Sequence, residues 1–171
     1  MLTSRTAPAV AGTPTGATSA QATYYSEGMP KRSFNVKTVG INDQWAKHFD
    51  TGRKNWNDAG VKAKIGRKAG AKASFTANRS SASWYGVHTP SGTRARRAFK
   101  IQVNARTIDR DSGSKYDQWV RSATTRELGH APSLHDNPNT SKASLMKHSR
   151  NRATVRKPPA YDKSEVKRIY S

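Results

Sequence analysis

The sequence predicts an α+β domain built on a twisted sheet whose strands are mixed or mostly parallel in direction. Two observations carry this prediction. Four segments alternate apolar and polar residues, as half-buried strands do, and two longer segments repeat apolar residues at helical spacing. Along the chain the order is strand, helix, strands, long helix, irregular loop and short helix, and this order is the basis for the predicted fold class.

The first half of the chain predicts one long helix between strands. Asn42 or Asp43 can cap its first turn, and Gly60 is placed to end it. Gly52 inside this helix predicts a kink or loose packing, because glycine costs about 1 kcal/mol in a helix interior. The aromatic residues expected on its buried face are Trp45, Phe49 and Trp56. The predicted strands are 33–41, 61–67, 71–78, a short strand within 80–92, and 99–108.

The second half predicts two helices. A long helix is expected within 115–131, after a loop at 109–114, and a short helix is expected within 161–170. The apolar stripe of the long helix consists of Tyr116, Trp119, Val120, Ala123, Leu128 and Ala131. The residues of the short helix that are expected to pack back on the domain are Val166, Ile169 and Tyr170.

The chain is strongly basic. It has 31 Lys and Arg against 11 Asp and Glu, which gives a net charge of +20. Such a charge predicts nonspecific contact with polyanions, because the basic residues are scattered and form clusters only at 94–97 and 150–157. Proteins that bind single-stranded nucleic acid need aromatic residues among their basic residues, and these two clusters have none interleaved with them. The chain has no cysteine, so any metal must bind histidines and carboxylates.

The N-terminal segment differs in composition from the rest. Residues 1–22 are rich in Ala, Thr, Pro, Ser and Gly, and they end in "SAQA", which has the form of a signal-peptidase site. We therefore predict a low-complexity N-terminus at 1–28, with a remnant signal peptide, and a folded domain at 29–171. A functional signal would make the protein secreted and extracellular, and otherwise it is expected in the cytoplasm. A disordered low-complexity start is the alternative. No run is long enough to span a membrane, and we expect a monomer.

The segment "TTRELGHAPSLHD" places chemistry-bearing residues at helical spacing. Positions i and i+4 share a helix face, so two histidines at that spacing can bind one zinc ion, with a glutamate after the first as general base. Here Arg126 and His130 hold the i and i+4 positions, and Glu127 holds the base position. Asp136 lies six residues after His130, where a third ligand can return to the metal if the chain reverses.

This segment resembles the HExxHxxGxxH/D motif of the metzincin metallopeptidases, and it is most similar to the small bacterial matrixin-like proteases of the snapalysin type. The resemblance extends beyond one helix and covers about residues 29–170. "WNDAG" and "WYGVHTPSG" resemble the first helix and edge-strand region of that family. "NPNTSKASLMKHSR" resembles its Asn-Pro loop and Met-turn, and "YDKSEVKRIY" resembles its closing helix.

The resemblance implies a zinc-dependent endopeptidase whose substrates are proteins or peptides. It assigns Glu127 as catalytic base, His130 and Asp136 as zinc ligands, and Met146 as the Met-turn residue. His135 is the alternative third ligand. The resemblance also implies an edge strand that pairs with an extended substrate, formed by Trp84, Tyr85, Gly86 and Val87.

Three departures from the motif predict impaired activity. Arg126 stands at the first ligand position, and arginine stays protonated and has no lone pair for a metal. Losing one of four ligands costs roughly 3 kcal/mol, or about two decades of zinc affinity. Pro132 falls at the helix end, and Ser133 stands where the family uses glycine to reverse the chain.

Three functions therefore stay open: a secreted zinc endopeptidase with low activity, a pseudoprotease that binds extended peptides, and a basic polyanion-binding protein. Each site residue also has a plainer interpretation. His130 fits a hydrogen-bonded core histidine, Glu127 an ion pair with Arg126, Met146 a core residue, and Asp136 a turn cap. The histidines expected at the surface are His48, His88 and His148, and the tryptophans expected in the core are Trp45, Trp56 and Trp119.

Overall fold

The structure, a computed structural model, describes residues 24–137 and 139–171. The low-complexity stretch and its signal-peptide interpretation fall on residues outside this part of the chain, so export and the domain boundary at residue 29 stay predictions. No helix in the described part is both long enough and apolar enough to cross a membrane.

Within the described residues, the fold consists of five strands and four α-helices, with short 3-10 turns between some of them. The strands are β1 Ser33–Thr38, β2 Lys64–Arg67, β3 Ala73–Asn78, β4 Gly86–Ser91 and β5 Ala98–Asn104. The helices are α1 Asp43–Asn57, α2 Ala105–Ser112, α3 Tyr116–His130 and α4 Ala160–Ile169. The strand order is β2-β1-β3-β5-β4, in which only β4 is antiparallel to its neighbour. The predicted α+β class with a mostly parallel sheet is confirmed.

Helices α1 and α3 pack closely against each other on the sheet. Asn42 caps α1 as predicted, since its side chain accepts a hydrogen bond from the Trp45 amide at 3.0 Å. The predicted kink at Gly52 is wrong, because the helix is continuous there. A Cβ on Gly52 would lie 2.8 Å from Cγ2 of Thr124, so glycine allows the close approach of α3. The buried Trp56 donates its indole N–H to the Thr125 carbonyl of α3 at 2.8 Å.

Helix α2 replaces the predicted end of the last strand and the loop after it. Strand β5 ends at Asn104, and the Asn104 side chain caps α2 by accepting from the Arg106 amide at 3.2 Å. The same side chain donates to the Thr107 hydroxyl and to the Ala82 carbonyl. Alternation of apolar residues up to Ile108 suggested a longer strand, but Ala105 and Ile108 are also spaced for one helix face, and both are buried.

Buried tryptophans and the short C-terminal helix agree with the prediction. Trp56 is fully buried, while Trp45 and Trp119 are partly buried and pack against the core. Val166 of α4 is also fully buried, and Ile169 and Tyr170 contact the core. The Tyr170 hydroxyl donates to the Met29 carbonyl at 2.7 Å, which ties the two ends of the described chain together.

His48 is buried, so its predicted surface position is wrong. It lies on the face of α1 turned towards α3, where its Nε2 is 3.7 Å from Oδ1 of Asp117 and its ring packs edge-on against Trp45. Burial lowers the pKa of His48, although Asp117 opposes this effect. The spacing of apolar residues in α1 did not reveal that His48, a polar residue, lies on the buried side of the helix.

We expect His48 to make the fold sensitive to acid. Because the pKa of His48 is lower in the folded chain than the ordinary value, the unfolded chain binds the proton first as the pH falls through about 6.5. Stability is then lost progressively below that pH. His48→Gln should flatten this loss in denaturant titrations between pH 8 and pH 5. Parallel stability curves for both proteins over this range would contradict the assignment.

Candidate functional site

The chain reverses directly after α3 and brings Asp136 back to the helix end. Ser133 adopts φ +68° and is fully buried, so the turn uses the left-handed conformation that favours glycine. Its amide donates to the His130 carbonyl at 3.0 Å, and the Leu134 amide donates to the Gly129 carbonyl at 3.2 Å. Residues 25–29 lie against the turn, since the Tyr25 amide donates to the Ser133 carbonyl at 2.8 Å and the Met29 amide to the Ala131 carbonyl at 2.7 Å. Serine at this position therefore does not prevent the reversal.

Arg126 joins the two carboxylates of the site. Its Nη1 donates to Oε1 of Glu127, and its Nη2 donates to Oδ1 of Asp136. The Arg126 side chain is only 9% exposed and the Glu127 side chain only 2%. The ion pair that the sequence left open between Arg126 and Glu127 is present, and Asp136 completes it on the other side. The guanidinium thus lies between the predicted base and the predicted third ligand.

His130 is buried beside both carboxylates. Its Nδ1 is 2.8 Å from the Leu134 carbonyl, which can only accept, so Nδ1 carries the proton of the neutral ring. Its Nε2 lies 3.8 Å from Oε2 of Glu127 and 3.6 Å from Oδ1 of Asp136. Burial lowers the pKa of His130, and the positive charge of Arg126 lowers it as well. The carboxylates of Glu127 and Asp136 act in the opposite direction and raise it. A neutral imidazole therefore faces the carboxylate pair.

His135 lines the same cavity as these residues but forms none of their ion pairs. It is exposed, its Nδ1 is 2.9 Å from the Asp136 carbonyl, and its ring packs edge-on against Tyr25. His148 lies on the other side of Asp136, with 3.5 Å between its Nε2 and Oδ2 of Asp136, and its side chain is 61% exposed as predicted.

Met146 lies beneath the helix end. A Cβ on Gly129 would be 3.1 Å from the Met146 sulfur, so the turn packs directly against α3 one residue before His130. Asp162 of α4 holds this turn by accepting from the Ser144 hydroxyl at 2.6 Å and from the Leu145 amide at 2.7 Å. Met146 is buried, which is compatible with both the Met-turn and the plain core interpretation.

The edge strand begins two residues later in the structure than the sequence predicted. Strand β4 begins at Gly86, so Trp84 and Tyr85 precede the strand and line a cleft beside it, whereas Gly86 and Val87 lie within it. Pairing with β5 begins only at Gly86, opposite Val103, because the chain before it follows the loop that the Asn104 side chain binds. A Cβ on Gly86 would be 2.7 Å from Cγ of Glu127, so the strand passes directly over the carboxylate.

Sequence reasoning missed two aromatic groups at the site. The ring centroid of Tyr25 is 5.3 Å from that of His130. The two residues are far apart in the sequence, so no sequence pattern indicated this contact. His88 was expected at the surface, but it is partly buried, with its ring 4.9 Å from Phe99 and 5.5 Å from His130. Burial lowers the pKa of His88 to about 3. Its position on β4 opposite Ile101 turns it inwards, and only the strand register reveals this.

The residues present do not fit a zinc ion. In the described part of the chain, no three His, Asp, Glu or Cys side chains are arranged to bind a metal. Arg126 offers no lone pair, and its cationic guanidinium contacts Glu127 and Asp136 where the ion would have to lie. A divalent cation would have to displace this charge first.

Two adjoining cavities open on these residues. The larger, of about 500 Å³, lies between Trp84–Gly86 and the segment 148–152. The smaller, of about 230 Å³, is lined by Tyr25, His88 and His130. Gly86, Arg126, Glu127 and His148 line both cavities, so they form one cleft along β4.

Comparison with known proteins identifies the fold. The sequence matches no family model and no curated protein. Among solved structures, myroilysin is similar with a TM-score of 0.54 and 11% identity, over 86% of this chain and 97% of that one. Archaemetzincin from Methanopyrus kandleri is similar with a TM-score of 0.52 and 12% identity, over 84% and 96%. A chain in the GM1-bound form of the ECX AB5 holotoxin gives a TM-score of 0.58 at 11% identity, over 84% and 82%. The chain therefore has a metzincin-like fold.

Proposed function

We propose that this chain is a peptide-binding relative of the small matrixin-like or snapalysin-like metallopeptidases, in which Arg126 has taken the place of the metal ion. One observation carries the proposal. The Arg126 guanidinium contacts both Glu127 and Asp136, which are the base and the third ligand that the sequence resemblance assigns. The protein keeps the cleft of the fold and binds extended peptides there without hydrolysing them.

Glu127 is poorly placed to act as a general base. One of its carboxylate oxygens accepts from Arg126, and the other is buried and lacks a hydrogen-bond partner among the described residues. A base must reach the proton that it abstracts within about 3 Å. Strand β4 covers Glu127 at Gly86, and Arg126 occupies the opposite side, so a water molecule has little access to the carboxylate.

The outer edge of β4 is suited to pair with a peptide backbone. Strand β4 ends the sheet, and within the described ranges only β5 pairs with it. The cleft runs along this strand, so an extended peptide added to the edge would place alternate side chains in the cleft.

A second candidate is a zinc endopeptidase of low activity. The separation of 3.6 Å between Nε2 of His130 and Oδ1 of Asp136 favours it. Two ligands of a tetrahedral zinc ion, each bound at about 2.0–2.1 Å, lie roughly 3.3 Å apart. Two of the three protein ligands are therefore close to zinc-binding positions despite Arg126.

Peptide binding and hydrolysis can be tested on the same samples. Blocked seven-residue peptides of β-branched and small residues, labelled with a fluorophore, should bind the purified chain in polarisation assays. Peptides with every second backbone nitrogen methylated are matched controls, and they should bind much more weakly because strand addition requires those N–H donors. Mass spectrometry should show intact peptide after prolonged incubation with added zinc.

Two outcomes would overturn the proposal. If no peptide in the set binds, or if N-methylation has no effect, the edge of β4 is not a peptide site. If the unmodified chain contains zinc stoichiometrically and cleaves the peptides in a reaction that chelators stop, the second candidate is correct.

A further inference from the structure

The larger part of the cleft contains an arginine that forms no salt bridge with a carboxylate of the described residues. Arg152 lies at its rim with its guanidinium carbon 4.4 Å from the ring centroid of Tyr85 and 5.4 Å from that of Trp119. Its Nη2 donates to the His148 carbonyl at 3.0 Å, while its Nε is buried and has no hydrogen-bond partner within the described chain. Two aromatic faces and one hydrogen bond therefore fix this guanidinium in place.

The neighbouring charges compensate Arg152 only in part. Among the described residues, no carboxylate lies within 4.0 Å of it. Asp111 acts on it from a greater distance and raises its pKa, but that carboxylate is already bound by Arg110 and by the Tyr85 hydroxyl. Arg126 is bound to Glu127 and Asp136, so its charge is compensated.

Arg150 adds a further positive charge to the cleft wall. It is almost completely buried, and its nitrogens donate to the Ser122 hydroxyl at 3.1 Å and to the Lys147 carbonyl at 3.2 Å. Burial, with smaller contributions from Arg152 and Arg126, lowers the pKa of Arg150 to about 9. Burial also lowers the pKa of Arg152. Two partly desolvated cations side by side destabilise each other, and a bound anion would relieve this repulsion.

We propose that this part of the cleft recognises a carboxylate of the bound peptide, and that Arg152 is the residue that binds it. The inference rests on the proposed peptide-binding function and specifies its ligand as an acidic peptide. The cavity of about 500 Å³ holds a whole side chain, and it adjoins β4 at Gly86. A peptide paired with β4 would therefore direct one aspartate or glutamate side chain towards Arg152. A planar guanidinium suits a carboxylate because it can donate two parallel hydrogen bonds.

The sequence alone explains only part of this site. The basic cluster at 150–157 was expected to contribute general positive charge. In the structure its first and third residues face the cleft, whereas Lys157 is exposed at the rim of a different cavity. Lys157 therefore provides a matched control for the loss of one positive charge.

The test uses pairs of acetylated and amidated peptides that differ only by glutamate or glutamine at the central position. The unmodified chain should bind the glutamate peptide about tenfold more tightly or better, since hydrogen bonds to a charged group are stronger than those between neutral groups. Arg152→Gln should abolish this preference but still bind the glutamine peptide, and Lys157→Gln should retain the preference. Arg152→Lys should keep only part of it, because lysine lacks the planar fork. Thermal unfolding of each variant confirms that it is folded.

Each outcome has a distinct meaning. Equal affinity of the unmodified chain for the two peptides would overturn the carboxylate site and leave the proposed peptide binding intact. An equal loss of preference in Lys157→Gln would also overturn it, since the preference would then come from the overall charge. Failure of both peptides to bind would contradict the proposed function itself. A glutamine peptide with a free C-terminus serves as a further arm. If the glutamate preference is present, tighter Arg152-dependent binding of this peptide than of its amidated form would show that the chain end can also supply the carboxylate.

Discussion

Replacing Arg126 with histidine is expected to raise the zinc affinity of the chain by about two decades or more. The substitution supplies a second imidazole at i, i+4 spacing from His130 and removes the cation that contacts Glu127 and Asp136. The other two of the three protein ligands are already close together, because Nε2 of His130 and Oδ1 of Asp136 are 3.6 Å apart. Competition with a chromophoric chelator and elemental analysis of the dialysed protein measure the change.

Two variants separate the contributions to this gain. Arg126→Gln removes the charge without adding a ligand, so its zinc affinity should lie between those of the unmodified chain and Arg126→His. The double variant Arg126→His with Glu127→Ala should bind zinc and remain inactive, because the base is absent. Arg126→His alone should cleave an unstructured protein such as casein, and a chelator should abolish the cleavage.

The geometry of the turn after α3 bears on the outcome in which Arg126→His gains neither zinc nor activity. Pro132 and Ser133 were expected to loosen the approach of Asp136, but Ser133 already adopts φ +68° and Asp136 lies next to His130. If Arg126→His gains neither zinc nor activity, ligand loss at position 126 is not what blocks the site. Ser133→Gly in the same background would then measure whether the left-handed serine in this turn contributes to the block.

The sequence predicted the elements that carry their own local signals. Helix α1 has a capping residue and regularly spaced aromatic residues, and α3 has a long apolar stripe, so both were found with ends within three residues of the structure. Helix α2 was missed because its first residues continue the apolar alternation of β5. Its helical state depends on the Asn104 side chain, which binds Ser80 and Ala82 from a distant loop.

The residues of the candidate site also fall into two groups, those that local sequence predicts and those that depend on distant contacts. Arg126, Glu127, His130 and Asp136 lie within eleven consecutive residues, and a helix followed by a turn is sufficient to bring them together. Tyr25, His88 and Arg152 reach the site from three other segments, and their positions depend on the strand order and on how the chain ends close over α3. No spacing within one segment encodes such contacts. The charge of the cleft therefore became apparent only in the structure.

Asp162→Ala is expected to destabilise the protein by about 3 kcal/mol, because it leaves the Ser144 hydroxyl and the Leu145 amide unpaired in the interior. For a chain of this length the thermal midpoint should fall by about 6–12 °C. Asp162→Asn keeps the side-chain shape and one acceptor oxygen, so it should lower the stability of the protein markedly less than Asp162→Ala does. Differential scanning calorimetry of the three proteins measures the difference.

This substitution also tests whether the Met146 turn supports the cleft. Asp162 holds Ser144 and Leu145, and the Ser144 hydroxyl in turn accepts from the Met146 amide at 3.0 Å. Met146 packs under Gly129, between Arg126 and His130 on the helix. Loosening the turn should therefore weaken peptide binding at temperatures where Asp162→Ala is still folded, whereas Asp162→Asn should bind normally. If Asp162→Ala loses stability but binds peptides as the unmodified chain does, the turn stabilises the fold without positioning the site.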